Sequence, residues 1–91
     1  MVGKGRKVGT VRFAVNPHQG ARRVQLAADF TGWKPKTMRK QKNGGFVNIV
    51  PLGCGTYEYK FLIDGKWRID PDNHCWSPNP YGTMNSVAQV D

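Results

Sequence analysis

The 91-residue chain has only two cysteines, Cys54 and Cys75. Small secreted scaffolds held by disulfides carry four or more at regular spacing, so free thiols are expected here. Cys54, Cys75, His18 and His74 lack the paired short spacings of zinc sites, so no metal site is expected, and nothing in the chain calls for a cofactor. No apolar run approaches the ~20 residues that cross a bilayer. The opening MVGKGRKVG has charge but no apolar stretch behind it, so no signal peptide is expected. These features together predict a cytoplasmic protein without a membrane partner. No segment sustains a 3.6-residue apolar period long enough to define a helix.

Acids are also few, six against 14 Lys and Arg, for a formal charge of +8. The imbalance is local. Residues 1–45 hold eleven Lys/Arg and one acid, Asp29, whereas residues 46–91 hold three Lys/Arg and five acids. Such asymmetry fits either an anionic partner or a basic lead-in (Lys4, Arg6, Lys7) followed by a solvated basic strand. A chain this short buries only about 60–65% of the surface its unfolded form exposes. That leaves room for one core and a shallow surface site, and little for a deep active site.

Eleven Gly and six Pro punctuate strand-like runs, which predicts an all-β sandwich or barrel. Residues 1–8 read as a flexible basic lead-in and 9–91 as a single domain. Strands are expected over Val8 to Val15, Arg22 to Ala28, Thr37 to Lys42, Phe46 to Val50, Thr56 to Ile63, residues 66–70 and Asn85 to Val90. Turns are expected at Asn16-Pro17 to Gly20 and at Asn43-Gly44-Gly45. The run TYEYKFLI is the clearest strand. Tyr57, Tyr59, Phe61 and Ile63 share one face, which should be core at about 1.5–3 kcal/mol per buried side chain. Glu58, Lys60 and Leu62 share the other.

Asp64-Gly65 predicts a two-residue type I′ hairpin. Its register sets Ile63 opposite Lys66, Leu62 opposite Trp67 and Lys60 opposite Ile69, so Trp67 falls on the face of Lys60. The hairpin leaves two readings of Trp67 open: a ligand platform, or an indole covered by residues 71–84. An indole face suits the axial C–H face of glucose; by analogy with base stacking, each stacked ring contributes on the order of 1–2 kcal/mol. A Lys ammonium and an Asn amide are suitable hydroxyl partners at its rim.

Asp29-Phe30-Thr31-Gly32-Trp33, then Tyr57 to Phe61 with Asp64-Gly65-Lys66-Trp67, then Asp70-Pro71, then Gly82-Thr83-Met84-Asn85-Ser86 resemble carbohydrate-binding module family 48. The same pieces resemble the glycogen-binding domain of AMP-activated protein kinase β subunits. The resemblance covers residues 9–91. It implies an early-set, immunoglobulin-like β-sandwich of antiparallel strands that binds α-1,4-linked glucan (glycogen, starch or maltooligosaccharide) without catalysis. It further implies that Trp33 and Trp67 stack on glucose, that Lys60 and Asn85 bind hydroxyls, and that Thr83 is a secondary contact. Tyr81 occupies the position of a leucine that enters the sugar helix in the kinase subunits. A glucan-active enzyme or a kinase complex is the partner this family implies. Trp76 has no counterpart there and is expected to pack the 71–84 loop onto the sheet.

Two rival classes fit less well. A glycosidase needs two carboxylates flanking the bond, and Glu58 has no evident acidic partner across the hairpin. A single-stranded nucleic-acid binder would use the positive charge with exposed aromatics, but the basic excess lies in residues 4–42, away from Lys60, Trp67 and Asn85.

Overall fold

The structure, a computed structural model, describes residues 2–17 and 20–90. Among the described residues ten strands run in chain order: β1 Val2–Lys4, β2 Thr10–Val15, β3 Val24–Ala28, β4 Lys36–Thr37, β5 Arg39–Lys40, β6 Phe46–Pro51, β7 Gly55–Ile63, β8 Lys66–Arg68, β9 Trp76–Pro78 and β10 Met84–Val90. One 3-10 turn, Asp29–Thr31, follows β3. The strands pair antiparallel into two sheets: β1-β2-β6-β5, and β4-β3-β7-β10-β9 with β8 on β7. The fold is the expected all-β, immunoglobulin-like sandwich.

Alternation builds the core. Val11, Phe13 and Val15 of β2 face Val24, Leu26 and Ala28 of β3 and Tyr59, Phe61 and Ile63 of β7, and all are buried. Phe13 meets Tyr59 edge-on at 5.1 Å between ring centroids, and Tyr59 meets Phe61 at 5.7 Å, the tilted geometry aromatic quadrupoles favour. Tyr57, expected in the same row, is only partly buried and packs against Phe30.

The β7–β8 hairpin has the expected turn and register. Asp64 and Gly65 both have positive φ (49° and 84°), as type I′ requires, and Leu62 pairs with Trp67 and Ile63 with Lys66. The strand expected over 66–70 stops at Arg68, so the Lys60–Ile69 pair is not made. The chain instead turns inward at Asp70, which is fully buried. Its N–H donates to Ser86 Oγ (2.7 Å), and its Oδ2 accepts the Tyr59 hydroxyl (2.7 Å). Asn73 Nδ2 donates both to that hydroxyl and to the Val87 carbonyl. Burial pushes the Tyr59 phenol well above its ordinary range.

Three other segments differ from the sequence reading. Val2–Lys4, read as part of a lead-in, lies along β2. The single strand expected over Thr37 to Lys42 is instead two short ones, Lys36–Thr37 and Arg39–Lys40, in different sheets: β4 pairs with β3 and β5 with β6, while Met38 between them is buried and donates its N–H to the Val24 carbonyl. The 71–84 loop contains β9. There Trp76 pairs with Ser86 and stays half exposed, its Nε1 donating to the Asn73 carbonyl. It does not become buried because β9 is the outermost strand of its sheet. The expected turn at Asn16-Pro17 to Gly20 and the ligand role weighed for His18 fall on or across positions outside the described residues.

Candidate functional site: an aromatic groove on the six-stranded sheet

The sequence Asp29 to Trp33 folds as a unit at the end of β3. Asp29 Oδ2 accepts the Glu58 N–H of β7 at 2.8 Å, extending the ladder by one side-chain bond. Phe30 packs at 5.5 Å from Phe13. The Thr31 hydroxyl accepts from the Ala28 N–H and donates to the Ala28 carbonyl. Gly32 and Trp33 then both take left-handed backbone, with φ of 65° and 63°, and the Trp33 N–H closes back on the Ala28 carbonyl at 2.9 Å. Left-handed geometry is ordinary for glycine and rare for a bulky residue. Here it turns Trp33 into a groove.

That groove has a volume of about 780 Å³, against about 420 Å³ for the recess beside the β1–β2 hairpin. All six residues predicted from the sequence line it: Trp33, Lys60, Trp67, Tyr81, Thr83 and Asn85. Trp33 is 38% exposed, Trp67 50% and Tyr81 90%, so residues 71–84 do not cover the indole of Trp67. Trp67 stands on β8 opposite Leu62. Lys60 lies where β7 changes neighbour on one edge, from β10 (through Tyr59) to β8 (from Phe61). Its partner on the other edge is Ala27.

Asn85 differs from the others, since it is only 6% exposed. Its amide is held at both ends: Oδ1 accepts from Asn79 Nδ2 (2.9 Å) and Nδ2 donates to Glu58 Oε1 (3.2 Å). Lys60 Nζ donates to Thr83 Oγ1 at 3.0 Å. Five further residues that sequence reasoning did not assign to the site also line the groove: Asp29, Glu58, Pro78, Asn79 and Pro80. In the sequence Glu58 stands out only as a solvent-face residue and as a carboxylate without an acidic partner across the hairpin; its acidic neighbour, Asp29, comes from the β3 side of β7. Asn79-Pro80 carries a turn signal, but in the sequence nothing sets it apart from the other Pro and Asn residues of the 71–84 loop. Both carboxylates act as acceptors for protein N–H groups. Among the described residues no cluster of three or more His, Cys, Asp or Glu could hold a metal. Cys54 and Cys75 are exposed free thiols, and no helix is long and apolar enough to cross a membrane.

A β-sandwich with an open aromatic groove rimmed by amides and an ammonium defines a carbohydrate-binding module. Residues 11–91 match the family described as "Glycogen recognition site of AMP-activated protein kinase", and the chain belongs to that family, a non-catalytic glucan-binding domain. The β-1 subunit of 5′-AMP-activated protein kinase from Sus scrofa is 35% identical over 71 residues, covering 78% of this chain and 57% of that protein. The Homo sapiens β-1 subunit is 34% identical over 71 residues, covering 78% of this chain and 26% of that protein. Protein PTST homolog 2, chloroplastic, from Arabidopsis thaliana is 42% identical over 52 residues, covering 56% and 10% respectively. The chain thus corresponds to a part of each relative's length. A crystal structure of maltogenic amylase from S. marinus superposes with a TM-score of 0.77 at 27% identity, over 100% of this chain and 15% of that one.

Proposed function

We propose that the groove holds an α-1,4-linked glucan (glycogen, starch or maltooligosaccharide), with Trp33 and Trp67 stacked on glucose rings. Lys60, Thr83 and Asn85 bind hydroxyls, and Tyr81 reaches over the chain from the loop tip. The observation that carries this reading is convergence: four separated stretches, 29–33, 58–60, 67 and 78–85, deliver their polar and aromatic side chains to one groove. Its role is to bring an attached or partner enzyme, or a kinase complex, onto glucan. Exposed free Cys54 and Cys75 support a reducing compartment such as the cytoplasm.

The test is a titration with maltoheptaose followed by tryptophan fluorescence and amide NMR shifts. The expected dissociation constant lies between roughly 10 µM and 1 mM. Trp67→Ala removes most of the binding, Trp33→Ala weakens it strongly, and Lys60→Ala weakens it while the domain stays folded. Because Lys60 is the one cation among the described residues that line the groove, the affinity should barely change with salt; a nucleic-acid groove would lose affinity steeply. A titration that leaves the Trp33 and Trp67 signals unmoved, or a Trp67→Ala domain that binds as before, would rule this reading out.

A further inference from the structure

Asn79 lines the groove from the loop between β9 and β10, and every polar group it has is engaged. Its Oδ1 accepts the backbone N–H of Tyr81 (3.0 Å) and of Thr83 (3.2 Å). Its Nδ2 donates to Thr83 Oγ1 (2.7 Å) and to Asn85 Oδ1 (2.9 Å). Its N–H donates to the Thr83 carbonyl, and its carbonyl accepts from Gly82.

The two ends of an Asn amide are assigned from their partners, and here the partners leave one solution. Backbone N–H groups can only donate, so the end facing Tyr81 and Thr83 is oxygen. The other end is then the NH₂, and the Asn85 atom it meets must be Oδ1. That turns Asn85 Nδ2 toward Glu58, whose carboxylate accepts. An ammonium can only donate, so Thr83 Oγ1 accepts from both Lys60 and Asn79. Two accepted bonds use both lone pairs of that hydroxyl, and its own proton is free to be given outward. Lys60 keeps two further N–H donors. At Glu58, Oε2 takes no hydrogen bond among the described residues.

We infer that Asn79 is a positioning residue that fixes the hydrogen-bond polarity of the groove. Thr83 and Lys60 form a donor-only pair that reads an acceptor oxygen of the bound sugar, and Glu58 is the acceptor at the far end of the network. The inference deepens the glucan reading and rests on it for the identity of the ligand. A bare aromatic platform would tolerate any oxygen pattern on the sugar. This groove demands an oxygen that can accept at Thr83.

Asn79→Asp separates polarity from loop shape. The carboxylate still accepts the Tyr81 and Thr83 N–H groups, so the turn is kept. It can no longer donate to Thr83 or Asn85, so the Thr83 hydroxyl turns inward to donate and the Asn85 amide is drawn around. The expected result is an unchanged backbone NMR spectrum and melting curve, a displaced Asn85 side-chain amide signal in the free protein, and a loss of about tenfold in maltoheptaose affinity. Binding within about twofold of wild type, or an unmoved Asn85 signal, overturns the proposal.

A second measurement needs no variant. Maltosides in which single hydroxyls are replaced by fluorine, which accepts weakly, or by hydrogen, which does neither, are titrated against the wild-type chain. A donor-only pair requires a position where hydrogen costs about tenfold and fluorine much less; a panel without such a position overturns it. If unmodified maltoheptaose fails to bind wild type, the glucan reading falls. The hold of Asn79 on Asn85 is still judged by the amide signal.

Discussion

Trp33 shows at the scale of one residue how a binding side chain is bought with backbone strain. Its φ of 63° costs a non-glycine residue about 1–2 kcal/mol. The 3-10 turn and the 2.9 Å bond to Ala28 hold it there. Alanine at this position keeps the strain, whereas glycine removes it. Trp33→Gly should therefore be more stable than Trp33→Ala by about 1 kcal/mol in denaturant melts, while both lose glucan binding to the same extent. Equal stabilities would mean that the left-handed backbone is relaxed in solution. Tyr59 makes the complementary point inside the core. Its phenol is raised by burial first, with the Asp70 contact adding to it. The folded state therefore keeps its proton to higher pH than the unfolded chain. That contribution is fully present below the unfolded value near pH 10 and is lost as pH rises through the folded value. Wild type should begin an alkaline loss of stability near pH 10, and Tyr59→Phe should show a weaker one. Phenylalanine also withdraws the donor from Asp70 Oδ2, so at neutral pH it should cost about 1–3 kcal/mol. Thermal melts at several pH values check both.

At the scale of the element, strand β7 and its hairpin were legible because two local rules agree: a period of two along TYEYKFLI and the Asp-Gly turn. Asp64 does more there than turn the chain. Its Oδ1 accepts the backbone N–H of Arg22 (3.0 Å) and Arg23 (2.9 Å), tying the hairpin to the segment before β3. Asp64→Ala loses those acceptors and meets the left-handed penalty. It should destabilise the fold by about 2 kcal/mol in urea unfolding, and it should leave glucan affinity per folded molecule intact because Asp64 does not line the groove. Other elements could not be read locally. The early end of β8 is set by Asp70, whose partners Tyr59 and Ser86 come from distant strands. Strand β9 is hidden by Pro78, which argues against a strand in sequence but is tolerated on the edge. Trp33, Tyr81, Thr83 and Asn85 were legible as candidates through the family resemblance, and Trp67 and Lys60 also through the hairpin register. Asp29, Glu58 and Asn79 were not, since their roles lie in which groups they orient.

For the whole molecule, charge and function separate. The +8 balance is carried largely away from the groove, on residues such as Arg12 of β2 and Arg39 of β5. Groove lining contributes two carboxylates and one ammonium. This explains why composition alone left a polyanion partner open while the motifs suggested a neutral one. The segment 36–40, shared by both sheets, has a consequence for how the sandwich comes apart. Lys36, Arg39 and Lys40 are exposed, and each would suit trypsin, yet a protease must draw an extended segment into its cleft. To free this one, β4 must leave β3 and β5 must leave β6 together, with Met38 pulled from the core. Arg6 and Lys7, in the loop between β1 and β2, face no such requirement. Limited trypsin digestion read by mass spectrometry should therefore nick at Arg6 or Lys7 first, and cuts at 36–40 should appear only at the rate of global opening. Early cleavage at Arg39 in folded protein would mean that this seam opens by itself. If it stays closed, the sandwich unzips as one body or not at all.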